Sequence, residues 1–413
     1  MRNREFLIAL LCVFLFELFG CSKTTSPRLE KPEPVQTFQL LSEEQVNSFL
    51  WEDDLEFEGI SEAIKQSQKY YRRLSDSYQF RYGDYVYSPR EMEASLQLFL
   101  EIIQTYQGNA SIEEIKKKFL FFESKNSKGN AFFTGYYEPI LKGSLNPTAQ
   151  FSTPLYETPK DLLKADLGAF KTELKGQRII GKVEGNRFVP YDSRDQIAYS
   201  DALKDRARAI SYVKNDVELF FLQIQGSGLV QLPDKSLKRV NYAAQNGHSY
   251  RSIGKLLIKE NKIPKAKMSM QALKDYLYNH PEEVQQILNY NPSYTFFREV
   301  SEGPLGYIEV PLTPGRSIAM DRKLIPRGGL AFIATHAPSF QKRLRVGQKP
   351  LKRFVLVQDT GGAIRGHGRA DIFWGHGKLA ELKAGHMQNS GYIFLLVARK
   401  EFLKASSDLI SLK

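Results

Sequence analysis

The chain has 413 residues, 58 of them Lys or Arg and 46 Asp or Glu, for a net charge of +12. That length is enough for two or three domain cores, and the basic balance favours an anionic partner without naming one. Only two cysteines occur, Cys12 and Cys21, which excludes a disulfide-stapled scaffold and a thiolate metal centre as organising principles.

Arg2 and Arg4 precede an apolar run from Phe6 to Phe19, broken by Glu17. A spanning helix needs about 20 apolar residues, so this run reads as a signal-peptide core. It ends in Leu18-Phe19-Gly20-Cys21, which resembles a bacterial lipobox, where the cysteine is lipidated and becomes the first mature residue. Phe19 departs from the small residue usual there. The expected segmentation is a leader over 1–20 and a Lys-, Pro-, Thr- and Ser-rich tether over 21–40. Cys12 then leaves with the leader, and the mature chain keeps no thiol. An exported lipoprotein rarely meets nucleic acid, so none is expected as a partner. Phospholipid and the acidic peptide stems of a cell wall fit the charge better. Ser22 stands where an Asp would resemble an inner-membrane retention signal, which favours the periplasmic face of a Gram-negative outer membrane.

Helical patterns follow. Ser42 to Leu50 begins with two acidic residues, as a helix N-terminus favours. Ser88-Pro89 opens a helix whose apolar face includes Leu96, Phe99, Leu100 and Ile103, and Ile112–Phe122 reads as a shorter one. At Ala131 the pattern turns aromatic and β-prone. Strands are expected from there to about Gly228, among them Arg178–Val183 and Leu219–Gln225, with a polar helix near Ser193–Asp205. Helices return at Tyr250–Glu260, Ser269–Asn279 and Pro281–Leu288. Beyond Tyr294 the chain reads as short strands broken by Gly and Pro, as in small barrels.

Five segments concentrate Gly, amide, hydroxyl and aromatic groups. They are Phe133-Thr-Gly-Tyr-Tyr-Glu-Pro139, Gln223-Ile-Gln-Gly-Ser-Gly228, Tyr242–Gly254, Asn291–Arg298 and Gln358–Gly375. The last holds five glycines and two carboxylates, Asp359 and Asp371. Taken singly, each segment reads as well as a turn or a helix cap. Together they suit a sugar ligand, whose faces stack on aromatic rings while amides and hydroxyls bond its polar groups. No Gly-x-x-x-x-Gly-Lys-Ser/Thr phosphate loop is present. His367, His376 and His386 have no metal-ligand spacing, so no metal is expected. Ser227 lacks a nucleophile elbow, because Gln225 stands where its first Gly would be. A carboxylic acid remains, with Asp321, Asp359 and Asp371 as candidates. The apolar chain neighbours of Asp371 suit a carboxyl kept protonated as a general acid, and the polar neighbours of Asp359 suit an ionised supporting role.

The order Phe-Thr-Gly-Tyr-Tyr, Gln-Gly-Ser-Gly, Asn-Gly-His-Ser-Tyr-Arg-Ser-Ile-Gly and Asp-x-Gly-Gly-Ala-Ile-x-Gly resembles the membrane-bound lytic murein transglycosylase A family from about residue 130 to 397, and its last part resembles the three-aspartate (3D) domain. The resemblance implies a mainly β fold with α: a double-psi β-barrel from 41–138 and 300–413, a β-rich insert over 139–299, and a groove between them. It implies a peptidoglycan lytic exotransglycosylase, a carbon–oxygen lyase without cofactor. Such an enzyme cleaves the β-1,4 bond between N-acetylmuramic acid and N-acetylglucosamine with formation of a 1,6-anhydro product. Carried over by motif, Asp371 is the acid/base and Asp359 its support. Thr134, Tyr136, Gln225, Ser227, Asn246, His248, Tyr250, Asp321, Gly361, Gly362 and Trp374 are implied to line the substrate site, although Tyr136, Tyr250 and Trp374 fit a core equally well. The spacer Arg365-Gly-His-Gly-Arg-Ala370 is more basic than the family pattern suggests. Implied partners are glycan strands, outer-membrane lipid through Cys21, and other wall-synthesis or hydrolase proteins, for a monomeric chain. The alternatives are a non-catalytic wall-binding lipoprotein and a hydrolytic muramidase.

Overall fold

The computed structural model describes residues 38–200, 202–342 and 344–403. The leader, the lipobox with Cys21 and nearly all of the tether lie outside the described residues. The tether's last residues, Phe38–Leu40, are already a strand, paired with Phe119–Ser124.

Six strands close a barrel. They are β1 (Ala131–Glu138), β2 (Ser317–Ala319), β3 (Leu330–Gln341), β4 (Leu344–Asp359), β5 (Arg369–His376) and β6 (Asn389–Ala398). Around the barrel the order is β1–β5–β2–β4–β3–β6, and β6 returns to β1. The pairs β1/β5 and β2/β4 are parallel and the others antiparallel. This is the double-psi β-barrel that the sequence implied, with its parallel pairs on the side that carries the two aspartates.

The barrel interior is continuous with a layer beneath helices α1 (Ile60–Arg72) and α2 (Pro89–Thr105), where Trp51, Phe99, Phe121, Phe332 and Phe354 interlock. α2 starts as expected: Ser88 and Glu91 form a reciprocal capping box and Pro89 occupies the first turn. The helix expected over Ile112–Phe122 is Asn109–Lys118 instead. Its last four expected residues join Phe119–Ser124, a strand that pairs with β6. Four aromatic and aliphatic residues in a row gain more from a sheet buried on both faces than from another helical turn.

β1 runs through Pro139 into Ile140–Ser144, a strand of a second sheet of six whose last strand is Thr295–Glu299. One correction falls here. Leu219–Gln225, expected as a strand, lies in helix α3 (Asp216–Gln225). Asn215 caps its N-terminus, Asp216 and Glu218 sit in the first turn, and Gly226 ends it at φ +82. A short apolar run cannot separate strand from helix by period, and the caps decide. The barrel and the second sheet are joined by the buried Glu138, which accepts two hydrogen bonds from Arg239 at 2.9 and 3.3 Å. Burial pushes the Glu138 carboxyl up, and Arg239 opposes this. Lys274 of α4 (Met270–Asn279) adds a 2.6 Å contact to Glu381 of α5 (Lys378–His386).

Directly before the three-residue β2 stands Arg316, fully buried. It donates to both Asp53 oxygens at 2.6 and 2.8 Å, to the Glu58 carbonyl at 2.8 Å and to the Phe354 carbonyl at 2.7 Å. Both side chains are 1 % exposed. Removing one partner of such a pair strands a charge in the core. Arg316→Met is therefore expected to lower the unfolding free energy by about 3–5 kcal/mol, read by denaturant melting. A loss under about 1 kcal/mol would show that Asp53 finds water or another partner.

Candidate active site

Register across four adjacent strands sets a single row: Thr134 on β1, Asp371 on β5, Ala319 on β2 and Asp359 on β4. Partners in a ladder face the same side of a sheet, so both carboxyls emerge on one surface with only a methyl group between them. Strands lie about 4.8 Å apart, which puts the two aspartate backbones roughly 10 Å from each other. A bulge makes this possible. Val357 faces Ile318 and Asp359 faces Ala319, so Gln358 is the extra residue. The buried Gln358 amide turns to the core, donating to the Ala63 carbonyl at 2.7 Å and to Ser67 at 3.0 Å.

Asp359 Oδ1 accepts from the Tyr307 amide at 2.9 Å and from the Thr360 amide at 2.8 Å. The first of these depends on a close approach, because a Cβ on Gly306 would lie 2.5 Å from the Gln358 carbonyl oxygen. Burial pushes the Asp359 carboxyl up to about 6, and the nearby Asp371 charge adds to this. The two amides and Tyr136 oppose the shift. The Tyr136 hydroxyl is shielded from solvent without a well-aligned partner. Burial first, and then the Asp359 charge, raise its pKa well above 10.

Asp371 has a different setting. Its Oδ1 accepts from the Thr134 hydroxyl and lies 2.5 Å from Arg369 Nη1. Arg369 Nη2 donates to Thr134 Oγ1 at 2.8 Å, and its guanidinium covers the Phe132 ring at 5.3 Å. The side chain of Asp371 is 20 % exposed. The environments expected for the two acids are thus corrected. Ala370 and Ile372 are fully buried on the opposite side of β5, because chain neighbours in a strand alternate. Asp371 therefore meets Arg369 and Thr134 in place of an apolar jacket, and the carboxyl that burial pushes up is Asp359.

Several other implied groove residues are committed to the scaffold. Asp321 is buried and accepts from the Lys323 amide at 3.1 Å and the Gly366 amide at 2.9 Å, so it clamps the glycine-rich loop. The Asn246 amide donates to the Asp192 and Pro292 carbonyls, both at 2.9 Å. His248 Nε2 is bonded to the Tyr191 carbonyl oxygen at 2.7 Å, and Gln225 Oε1 accepts from the Tyr137 amide at 3.0 Å. Ser227 is buried at the start of a strand. Trp374 is half-buried under Lys383, packed so tightly on Gly135 that a Cβ there would meet its indole at 2.6 Å. Small polar residues in glycine-rich segments look alike whether they bond a sugar or the backbone. Of the implied set, Thr134 and Tyr136 join the aspartate row, while Tyr250 and the loop glycine Gly362 are exposed and Gly361 is partly so. Sequence reading missed Ala319, the Tyr307 amide and the Arg369–Asp371 contact. Only the spacing of two residues between Arg369 and Asp371 hinted at the last.

The chain matches the family description "MltA specific insert domain" over residues 132–298 and "3D domain" over 316–397. A protein of Vibrio cholerae named membrane-bound lytic murein transglycosylase A is 28 % identical over 388 residues, 92 % of this chain and 91 % of that protein. Its Escherichia coli K12 namesake is 32 % identical over 277 residues, 66 % of this chain and 67 % of that protein. Among solved structures, a membrane-bound lytic murein transglycosylase from Agrobacterium tumefaciens superposes with a TM-score of 0.71 at 29 % identity, covering 88 % of this chain and 98 % of that one. E. coli MltA with bound chitohexaose gives a TM-score of 0.67 at 25 % identity, covering 88 % and 95 %.

The raised Asp359 carboxyl has a thermodynamic consequence. An ordinary Asp titrates near 3.8 and the folded state holds this proton to about 6. The folded state therefore binds more protons between those values, and stability is lost as pH rises through about 6. Asp359→Asn removes that loss. It is expected to melt at a higher temperature than the parent at pH 7 and to match it near pH 4; equal melting at both pH values would disprove the burial cost. Tyr136→Phe removes an influence that lowers the Asp359 pKa, so NMR titration of the variant is expected to place that carboxyl above its parent value.

Proposed function

The chain belongs to the membrane-bound lytic murein transglycosylase A family, and on that premise we propose that it cleaves the β-1,4 bond between N-acetylmuramic acid and N-acetylglucosamine in peptidoglycan, leaving a 1,6-anhydro muramyl end, with Asp371 as the single acid/base. The observation that carries this reading is the row itself: the Asp371 carboxyl beside Thr134, with a second carboxyl, Asp359, in line with it two strands beyond. Hydrolases of glycosides use two carboxyls flanking the bond, about 5–5.5 Å or 6.5–9.5 Å apart, because water or a covalent adduct must be managed. A substrate that supplies its own nucleophile needs one carboxyl twice.

Bond by bond, Asp371 gives a proton to the glycosidic oxygen as the bond from C1 to O4 of the leaving sugar breaks. Its carboxylate then takes the proton of the muramyl 6-hydroxyl as O6 bonds to C1. No water is consumed, and Asp371 ends as it began. A glycan lying over the row removes solvent from both carboxyls, which strengthens the electrostatic contacts made there. Asp359 keeps a negative charge near the cationic C1 above pH 6 and a proton in the pair below it. Holding O6 next to C1 exploits intramolecular attack. Thr134 orients Asp371, Tyr136 backs Asp359, and Tyr250, Gly361 and Gly362 remain the groove surface open to the sugar.

We read residues 41–138 with 300–413 as the catalytic barrel domain and 139–299 as the insert that completes the groove. Lipidation at Cys21 and a place at the periplasmic face of the outer membrane extend the family's membrane association to this chain.

Asp371→Asn is expected to abolish release of anhydro-muropeptides from sacculi, with mass spectrometry of the products as the readout; activity within tenfold of the parent would move the acid elsewhere. Products heavier by one water would replace this reading with the muramidase, and sacculus binding without any product would replace it with the wall-binding lipoprotein.

A further inference from the structure

Three strands, Leu163–Asp166, Arg178–Glu184 and Arg187–Pro190, form a separate small sheet beside the six-stranded one. Its polarity is inverted. Register puts Phe188 opposite Val183, with Leu163 and Pro190 on either side of Gly181 and Ala165 beside Ile179. Every residue on that face is therefore apolar or glycine. The opposite face carries Lys182, 2.7 Å from Asp192. It also carries Ile180, which packs so closely on the Asn246-Gly247 turn that a Cβ on Gly247 would lie 2.8 Å from the Ile180 Cβ. So the half-polar face is turned to the protein and the apolar face to solvent. Leu163, Ile179, Val183 and Phe188 are 44, 45, 57 and 40 % exposed, and Phe170, in the turn after the first strand, is 78 % exposed. Contiguous apolar surface of this kind marks an interaction site on a folded protein.

Charge selects the occupant. In the turn that carries Phe170, Lys171 and Lys175 are exposed and form no ion pair among the described residues, while the exposed Lys164 and Arg187 lie on the opposite face, one on each edge strand. Of the nearby acids, Asp161, Asp166 and Glu184 are paired with Arg206, Arg178 and Lys182, which leaves Glu173 as the exposed acid between the two lysines. A sugar needs hydrogen-bond partners, and this face offers none. An apolar face flanked by unpaired lysines, on a chain of net charge +12, suits a surface with anionic headgroups over hydrocarbon. We propose that this three-stranded sheet docks on an anionic phospholipid surface. Phe170, Val183 and Phe188 enter the headgroup boundary, and Lys171 and Lys175 meet the phosphates. Docking through this face orients the chain on the membrane, a role separate from tethering through Cys21 and independent of the catalytic reading.

The test uses the chain from residue 22 onward, which lacks Cys21 and keeps the whole compact unit Thr37–Lys413. It is sedimented with vesicles of phosphatidylglycerol and phosphatidylethanolamine, and with neutral phosphatidylcholine vesicles. Binding is expected to the first and to weaken as salt rises. Val183→Glu, Phe188→Glu and the pair Lys171→Glu/Lys175→Glu are each expected to weaken it by about tenfold or more. Unchanged melting temperatures in the same variants separate loss of docking from loss of fold. A parent chain that fails to sediment with anionic vesicles overturns the proposal, as do variants that bind like the parent. It is also overturned if Val183→Glu loses self-association or glycan binding while vesicle affinity stays, since the face would then belong to a second copy or to the wall.

Discussion

A three-residue strand carries the centre of this structure, and a buried ion pair holds it there. Ser317–Ala319 is too short to be secured by its ladder bonds alone. Arg316, immediately before it, reaches Asp53, the Glu58 carbonyl and the Phe354 carbonyl at once. Asp53 in turn accepts from the Phe354 amide at 2.9 Å. The segment before α1, the strand β2 and the middle of β4 are thus tied at one point. Taking two charges out of water is costly, and such a pair adds less to stability than well-packed hydrocarbon would. What it supplies here is position. It seats Ala319 between Asp371 and Asp359, and a larger side chain at that point of the row would fill the space over which the two carboxyls meet.

The two acids are unequal because their surroundings are assembled from different parts of the chain. Asp359 takes amides from a distant turn at Tyr307 and from its own successor Thr360. Burial outweighs these donors and keeps its proton to about pH 6. Asp371, two strands away, is handled by Arg369 and Thr134 and remains partly open to solvent. Separate control of neighbouring carboxyls is how a site keeps one proton and one charge available at the same pH. The small sheet at 163–190 follows another logic: it turns apolar residues outward, at a cost in solubility that only an interaction would offset.

Much of the scaffold was legible locally. The helix start at Ser88-Pro89, the barrel-like rhythm after Tyr294 and the glycine-rich segment around Asp359 and Asp371 all follow from short-range chemistry. The failures were also local in origin. Leu219–Gln225 has a strand's composition and a helix's caps. Asn246, His248, Gln225 and Asp321 have the side chains of a sugar site, yet bond backbone groups. Nothing in their own segments reveals whether a buried amide or a ligand will be the partner.

By itself, the sequence determined the order of motifs, the family to which they belong, and the choice of a carboxyl over a thiol, a metal or a serine, because these depend on which residue types are present and how they are spaced. Only the tertiary structure decided which acid its surroundings push up, and that an alanine 40 residues before Asp359 lies between it and Asp371. Side-chain direction in a strand is a local property, but register is not. A single bulged residue at Gln358 moves Asp359 into line, and that line is drawn across four strands that the chain visits far apart.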